Sequence, residues 1–230
     1  IKEVVALAEK YFGGIKPGPE VKMPEKPLVT LDSDRYVSYE DNVPYPMLRM
    51  SFPTIPVRHP DEAPLDLLSD ILGSGKNSIF FKNLVKTQFA IGAVVMHPCS
   101  ELSGEFILRA LPNPKSGKTL ADLEMLMRKS IDEFEVRGVH DDDLLKSKVK
   151  AENRTIRSLA SVAGKVGTLA SNETFTNNPN YIKEDIRRYN AVTKEDVMRV
   201  YKKYIKGKAA VIQSIYQKNK PEQVASPDNF

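Results

Sequence analysis

Apolar residues recur along this chain at two spacings, and the switch between them predicts its elements. Val4, Val5, Leu7, Ala8, Tyr11 and Phe12 keep the three-and-four spacing of an amphipathic helix, which Gly13-Gly14 ends. Pro17, Pro19, Pro24 and Pro27 then exclude both helix and central strand, so residues 17–30 read as an extended linker and a domain boundary. Tyr36–Tyr39 and Met47–Pro53 follow as strands, the second alternating apolar and polar as a half-buried strand does. Leu65, Leu68, Ile71 and Leu72 return to helical spacing, with Pro64 tolerable in the first turn. Gly73 and Gly75 are expected to end that helix through left-handed backbone. Ile79, Phe80 and Leu84 make a short second helix with Lys82 and Lys86 on its wet side. Phe89–Met96 and Phe106–Leu111 read as two strands joined through a turn at Ser103-Gly104, most simply antiparallel.

The second half is mostly helical. Thr119 with Asp122 suits a helix start, Leu123, Leu126, Met127, Ser130, Ile131 and Phe134 supply a buried face, and Gly138 is the stop. Asp141-Asp142-Asp143 opens what the pattern predicts as the longest helix, its buried stripe formed by Val149, Ile156, Leu159, Ala163, Val166 and Ala170, with Ala160, Ala163 and Gly164 allowing close packing. Asn177-Asn178-Pro179 breaks it. A short helix carries Tyr181, Ile182, Ile186 and Tyr189; Thr193-Lys194-Glu195-Asp196 is a capping box before Val197, Val200, Tyr201 and Tyr204; and Ala209–Tyr216 is the last strand. Together these predict an α+β fold, an antiparallel or mixed sheet with helices on one face.

Composition narrows the function classes. At 230 residues the chain can bury a full core, and 41% hydrophobic with 28% charged residues is ordinary for a globular protein. No apolar run approaches the roughly 20 residues that span a bilayer. The net charge of +4 comes from 34 basic against 30 acidic residues, mostly interspersed, and no nucleic-acid-binding module accompanies it. Cys99 is alone, so no internal disulfide forms. The chain opens at Ile1 inside a helical pattern, which reads as a piece of a longer polypeptide and leaves the compartment open between periplasm and cytoplasm.

Candidate chemistry centres on Gly73–Ser78. A phosphate-cradling loop needs Gly, four residues, then Gly-Lys-Ser/Thr after a strand; here Asp70 and Asn77 stand at two of those positions and a helix precedes the loop, which argues against it. Two readings remain: a turn between helices, or a substrate-facing loop in which Gly73, Gly75, Asn77, Ser78 and Lys82 meet a peptide. No Gly-x-Ser-x-Gly elbow is present. His59, His97 and His140 lie far apart, and none has a second His four residues on, so no zinc site of the His-x-x-Glu-His kind can be drawn from this chain. His59 with Asp61-Glu62 reads as a helix start, His97 as a strand-end residue, and His140 as a solvated helix start or a titrating switch. Cys99 beside Pro98 reads as a buried thiol.

The order helix, Leu72-Gly73-x-Gly75-x-x-Ser78, Phe81, Leu84, then Ala90 in a strand resembles the pitrilysin/insulinase-type zinc peptidases, specifically the second of two related domains in each half of such an enzyme. The stretch Tyr189-Asn190-Ala191-Val192-Thr193-x-Glu195-Asp196-Val197 is similar to the same family, as is the helix ending Tyr11-Phe12-Gly13 before a Pro-rich connection. Ile79 and Ile91 stand where the family's substrate-reaching Arg and Tyr would be. The resemblance implies a fold like that of mitochondrial processing peptidase. Residues 1–16 would be the closing helix of a preceding domain, 17–30 the linker, 31–218 a non-catalytic domain and 219–230 a flexible tail. It further implies zinc held by a domain outside this chain, a catalytic domain or partner subunit against which this one packs, and a peptide substrate. The alternative is a peptidase-like structural or interaction module without proteolysis, as in the core subunits of the respiratory bc1 complex.

Overall fold

A computed structural model describes the chain except Val21, Met23, Lys26 and Pro27, so those four positions of the predicted linker lie outside the described residues. Five strands, β1 (Arg35–Asp41), β2 (Met47–Thr54), β3 (Ala90–Met96), β4 (Gly104–Pro112) and β5 (Val211–Gln217), form one sheet in the order β1-β5-β2-β4-β3. β5 pairs parallel with β1 and antiparallel with β2, and β2, β4 and β3 are mutually antiparallel, so the sheet is mixed. The helices are α1 (Lys2–Phe12), α2 (Glu62–Gly73), α3 (Leu120–Arg137), α4 (Asp141–Ser158), α5 (Val162–Thr176), α6 (Ile182–Asn190) and α7 (Lys194–Tyr204).

One sheet face is dry. Leu48, Met50 and Phe52 on β2 alternate with half-buried Arg49, Ser51 and Pro53, the period-two pattern read from the sequence. Phe106, Leu108, Ala110 and Ile212 join them, and α2, α3 and α7 cover that face with Leu65, Leu68, Leu72, Leu123, Met127, Phe134, Val197 and Tyr201. Burying each such side chain stabilises the fold by about 1.5–3 kcal/mol, which makes this layer the source of most of the stability. Phe134 and Tyr201 meet edge to face at 5.1 Å, and the Tyr201 hydroxyl donates to the Ile131 carbonyl at 3.1 Å, joining α3 to α7. The predicted capping box at Thr193–Asp196 forms, and the helix start read at Thr119 with Asp122 is a capping box too.

Three expectations are corrected. The long helix from Asp141 is two helices: the chain turns at Leu159-Ala160, and Ser161 starts α5 by accepting from Gly164 N–H at 3.0 Å. Ser158 Oγ donates to Thr155 O, so the last turn of α4 spends its hydroxyls locally, and Gly164 sits where a Cβ would lie 1.8 Å from Ser158 O. The stripe expected to be buried is open, with Val149, Ile156 and Val166 at 48%, 55% and 62% exposure. Gly73 is not left-handed but the last residue of α2; its role is close approach, since a Cβ there would stand 2.6 Å from Val95 Cβ. Gly75 does take the left-handed turn, at φ +79°. The last residues bond to the sheet. Asn229 accepts from Tyr36 N–H at 2.8 Å and donates to Asp34 O at 3.0 Å, and Ala225 N–H donates to Ser214 Oγ.

Helix α1 buries none of its residues; Val4, Val5, Leu7, Tyr11 and Phe12 are each more than half exposed.

Candidate functional site

The loop after α2 is held by its own backbone. Ser74 N–H donates to Asp70 O at 2.8 Å, Gly75 reverses the chain, and Ser78 N–H returns to Gly75 O at 3.2 Å. The Ser78 hydroxyl donates to Gly75 O at 2.9 Å and accepts from Phe81 N–H at 3.2 Å, so this buried side chain caps the following helical turn and faces inward. That turn, Phe81–Val85, is widened, with Lys86 N–H reaching Phe81 O. Ser74, Gly75, Lys76 and Asn77 are left on the surface.

Opposite the loop runs α4. Lys150 Nζ bonds Asp70 at 2.6 Å and Ser74 Oγ at 2.7 Å, and Arg154 reaches the other Asp70 oxygen at 3.4 Å, so one carboxylate fixes the loop against two helix cations. The cleft between them encloses about 220 Å³ and is lined by Asp70, Gly75, Asn77, Ser78, Lys146 and Lys150 among others. Of the residues predicted to face a peptide, Gly75, Asn77 and Ser78 therefore come together in one cleft. Gly73 lies beneath it against β3, and Lys82 is exposed on the next turn without lining it. The contribution of α4 was not predicted, because the contact of Lys150 with Asp70 joins positions 80 residues apart.

A second cluster lies inside the fold. The His97 side chain, 0% exposed, has Nδ1 2.7 Å from Asp66 and Nε2 3.1 Å from Thr54 Oγ1, and the Tyr189 hydroxyl donates to the other Asp66 oxygen. Burial, and then the Asp66 charge, pushes the Tyr189 phenol up. Cys99 Sγ stands 3.5 Å from His97 Nε2, but burial, then Glu62 and Asp66, pushes this thiol up to about 12, so it stays protonated at neutral pH. The cluster is a polar rivet joining α2, α6 and the ends of β2 and β3. Beside it Arg188 pairs with Glu62 at 2.7 Å and Asp185 at 2.8 Å.

Asp61, 4% exposed, precedes α2 and receives Arg199 at 2.6 Å, the Tyr204 hydroxyl at 2.7 Å and Lys203 at 2.9 Å, all from α7. Burial raises its pKa, yet these three donors outweigh it and hold the carboxyl at about 2. His59 Nδ1 accepts from Asp61 N–H at 2.9 Å, the helix-start role read from sequence, and burial lowers its pKa. His140 stands exposed at the start of α4 without a side-chain cap. The residues present do not fit a zinc ion: His97 has both nitrogens engaged, His59 supports a turn, and among the described residues no three of His, Cys, Asp and Glu stand close enough to hold a metal.

Residues 1–150 match the sequence profile of the peptidase M16 inactive domain. Curated protein sequences gave no match. Among solved structures, the chain is similar to a protease from Helicobacter pylori, with TM-score 0.76 and 21% identity over 94% of this chain and 52% of that one. It is similar to a peptidase M16 inactive domain from Pseudomonas fluorescens, with TM-score 0.73 and 18% identity over 99% and 52%. A chain of complex III2 from Candida albicans gives TM-score 0.74 and 15% identity over 91% and 51%. The chain thus spans about half the length of these three proteins.

Proposed function

Since the chain belongs to the family of peptidase M16 inactive domains, we propose that it is the non-catalytic domain of a zinc-dependent metalloendopeptidase, packing against a metal-bearing domain and forming part of the wall past which an extended peptide runs. The observation that carries this reading is α1. Its five large apolar side chains, Val4, Val5, Leu7, Tyr11 and Phe12, lie 53–68% exposed on a helix that buries nothing, a face that gains stability only when another domain covers it. In this reading residues 1–16 are the closing helix of a preceding domain and 17–30 the linker from it, 31–218 form the wall, and Gly75 and Asn77 lie on the peptide side, with Ser78 holding the loop and Lys82 exposed on the next turn. Zinc would be held by residues outside this chain, where it would supply Lewis-acid activation of water and of the peptide carbonyl; this chain's residues would orient and enclose the peptide.

A second reading, an interaction module without proteolysis, is favoured by position 79. The family's substrate-reaching Arg is replaced by Ile79, which is 2% exposed in the core and offers a peptide nothing.

Zinc content and peptide cleavage of the full-length protein beside this chain, each with a chelator control, separate the two. Chelator-sensitive cleavage in the full-length protein alone supports the peptidase wall. Neither zinc nor cleavage in the full-length protein supports the interaction module, and cleavage by this chain alone overturns both.

A further inference from the structure

Helix α4 carries an open trough that the loop cleft runs into. It is an open surface depression of about 630 Å³ along this one helix, lined by Leu145, Val149, Lys146, Lys150, Arg154 and Arg157, with Asn153 between them. Lys146 and Lys150 line both the trough and the loop cleft, so the two share a wall. Residues three and four apart fall on one face of a helix, which places Leu145 and Val149, 61% and 48% exposed, as an apolar floor beside a row of cations.

The cations outnumber the acids that face them. Lys150 and Arg154 share the single Asp70 carboxylate. Lys146 has only Asp142, at 3.7 Å and with both side chains mostly in water. Asp143, the other acid of the cleft, is taken by Arg137. Lys76, at the loop's edge, and Arg157 make no ion pair among the described residues. Over the whole chain 34 basic and 30 acidic residues are mostly interspersed.

We propose that this trough is the part of the peptide path that selects acidic chain segments, apolar side chains resting on Leu145 and Val149 while carboxylates meet Lys76, Lys146, Arg154 and Arg157. The proposal rests on the reading that a peptide passes this domain. An extended segment alternating Asp or Glu with Leu or Val presents both chemistries at once, because successive side chains of a strand point to opposite sides. A basic segment meets the same floor against like charge.

The test is fluorescence anisotropy with the 230-residue chain and three labelled peptides of about twelve residues, long enough to run the trough, alternating Leu with Glu, Lys or Ser. The Glu peptide is expected to bind about tenfold more tightly than the Lys peptide at ~20 mM salt, the gap shrinking to about threefold at ~200 mM as screening shortens the reach of the rim. Lys146→Glu with Arg157→Glu should remove the preference with the circular dichroism spectrum unchanged, since both side chains are exposed. Reversal of Lys86, which is exposed away from the trough, should leave it intact. Equal binding of all three peptides overturns the charge selection and leaves the peptide path standing; binding of none overturns both. A DNA oligonucleotide that displaces the Glu peptide at equal concentration overturns the proposal in favour of a nucleic-acid surface.

Discussion

Removing the charge of Asp61 tests whether α2, and with it the loop it ends in, is clamped by electrostatics. In Asp61→Asn the side chain keeps its shape, but Arg199, Lys203 and Tyr204 lose a carboxylate. The difference between an ordinary pKa of 3.8 and one of about 2 corresponds to about 2.5 kcal/mol. Arg199 and Lys203 keep 48% and 51% of their surface in water, which trims the expectation to about 2 kcal/mol. The sign follows from the depressed pKa: the stabilisation is complete above pH 3.8 and is lost as pH falls toward 2. Urea unfolding of both proteins at pH 7 and pH 3 should therefore give a gap of about 2 kcal/mol that falls to about 1 kcal/mol in acid. Other carboxylates titrate in both proteins and cancel in the difference. A gap that stays constant with pH, or one below about 0.5 kcal/mol at pH 7, would refute the clamp.

Three further outcomes are expected. Gly73→Ala drives a Cβ to 2.6 Å from Val95 Cβ and should cost about 1–3 kcal/mol in thermal unfolding, whereas Gly75→Ala meets open space and should cost only about 1 kcal/mol of left-handed strain; equal costs would sink the distinction. Tyr189→Phe removes the hydroxyl that donates to Asp66 and should lower stability by about 1 kcal/mol in denaturant, with no change indicating that water takes its place. Val5→Lys with Phe12→Lys should leave the melting transition within about 0.5 kcal/mol of the parent while reducing binding of an apolar dye, because α1 buries nothing; a clear loss of stability would mean that α1 already packs on this chain.

How much was legible depended on the distance over which each contact acts. The capping boxes at Thr119 and Thr193 close within four residues, and the alternation on β2 is local, so both stood in the sequence. Insertion of β5 between β1 and β2 did not, because hydrophobic period fixes a strand's face and not its neighbours. The break before Ser161 was hidden by small residues that continue a helical pattern equally well. The Asp66–His97–Tyr189 rivet joins positions 31 and 123 residues apart, and no spacing rule reaches that far. For α4 the pattern named the residues that share a face but could not say whether anything covers it, and Val149 stands open.

Position 79 and α4 belong to one arrangement. Ile79 packs with Phe80 and Leu84 inside the core, directly after the turn that Gly75 and Ser78 close. A guanidinium carried on the same backbone would enter that core at a cost of several kcal/mol, so an Arg here would need the turn to open. With the turn closed, the cations left beside it are Lys76 on the loop and the row on α4, and Asp70 ties the two together through Lys150 and Arg154. In the proposed reading, the charged part of the peptide path therefore passes from the loop to the helix. Asp70→Asn is expected to loosen that link and weaken Glu-peptide binding in the anisotropy assay; tighter binding would show that Asp70 competes with the peptide for Lys150 and would refute the joint action of loop and helix.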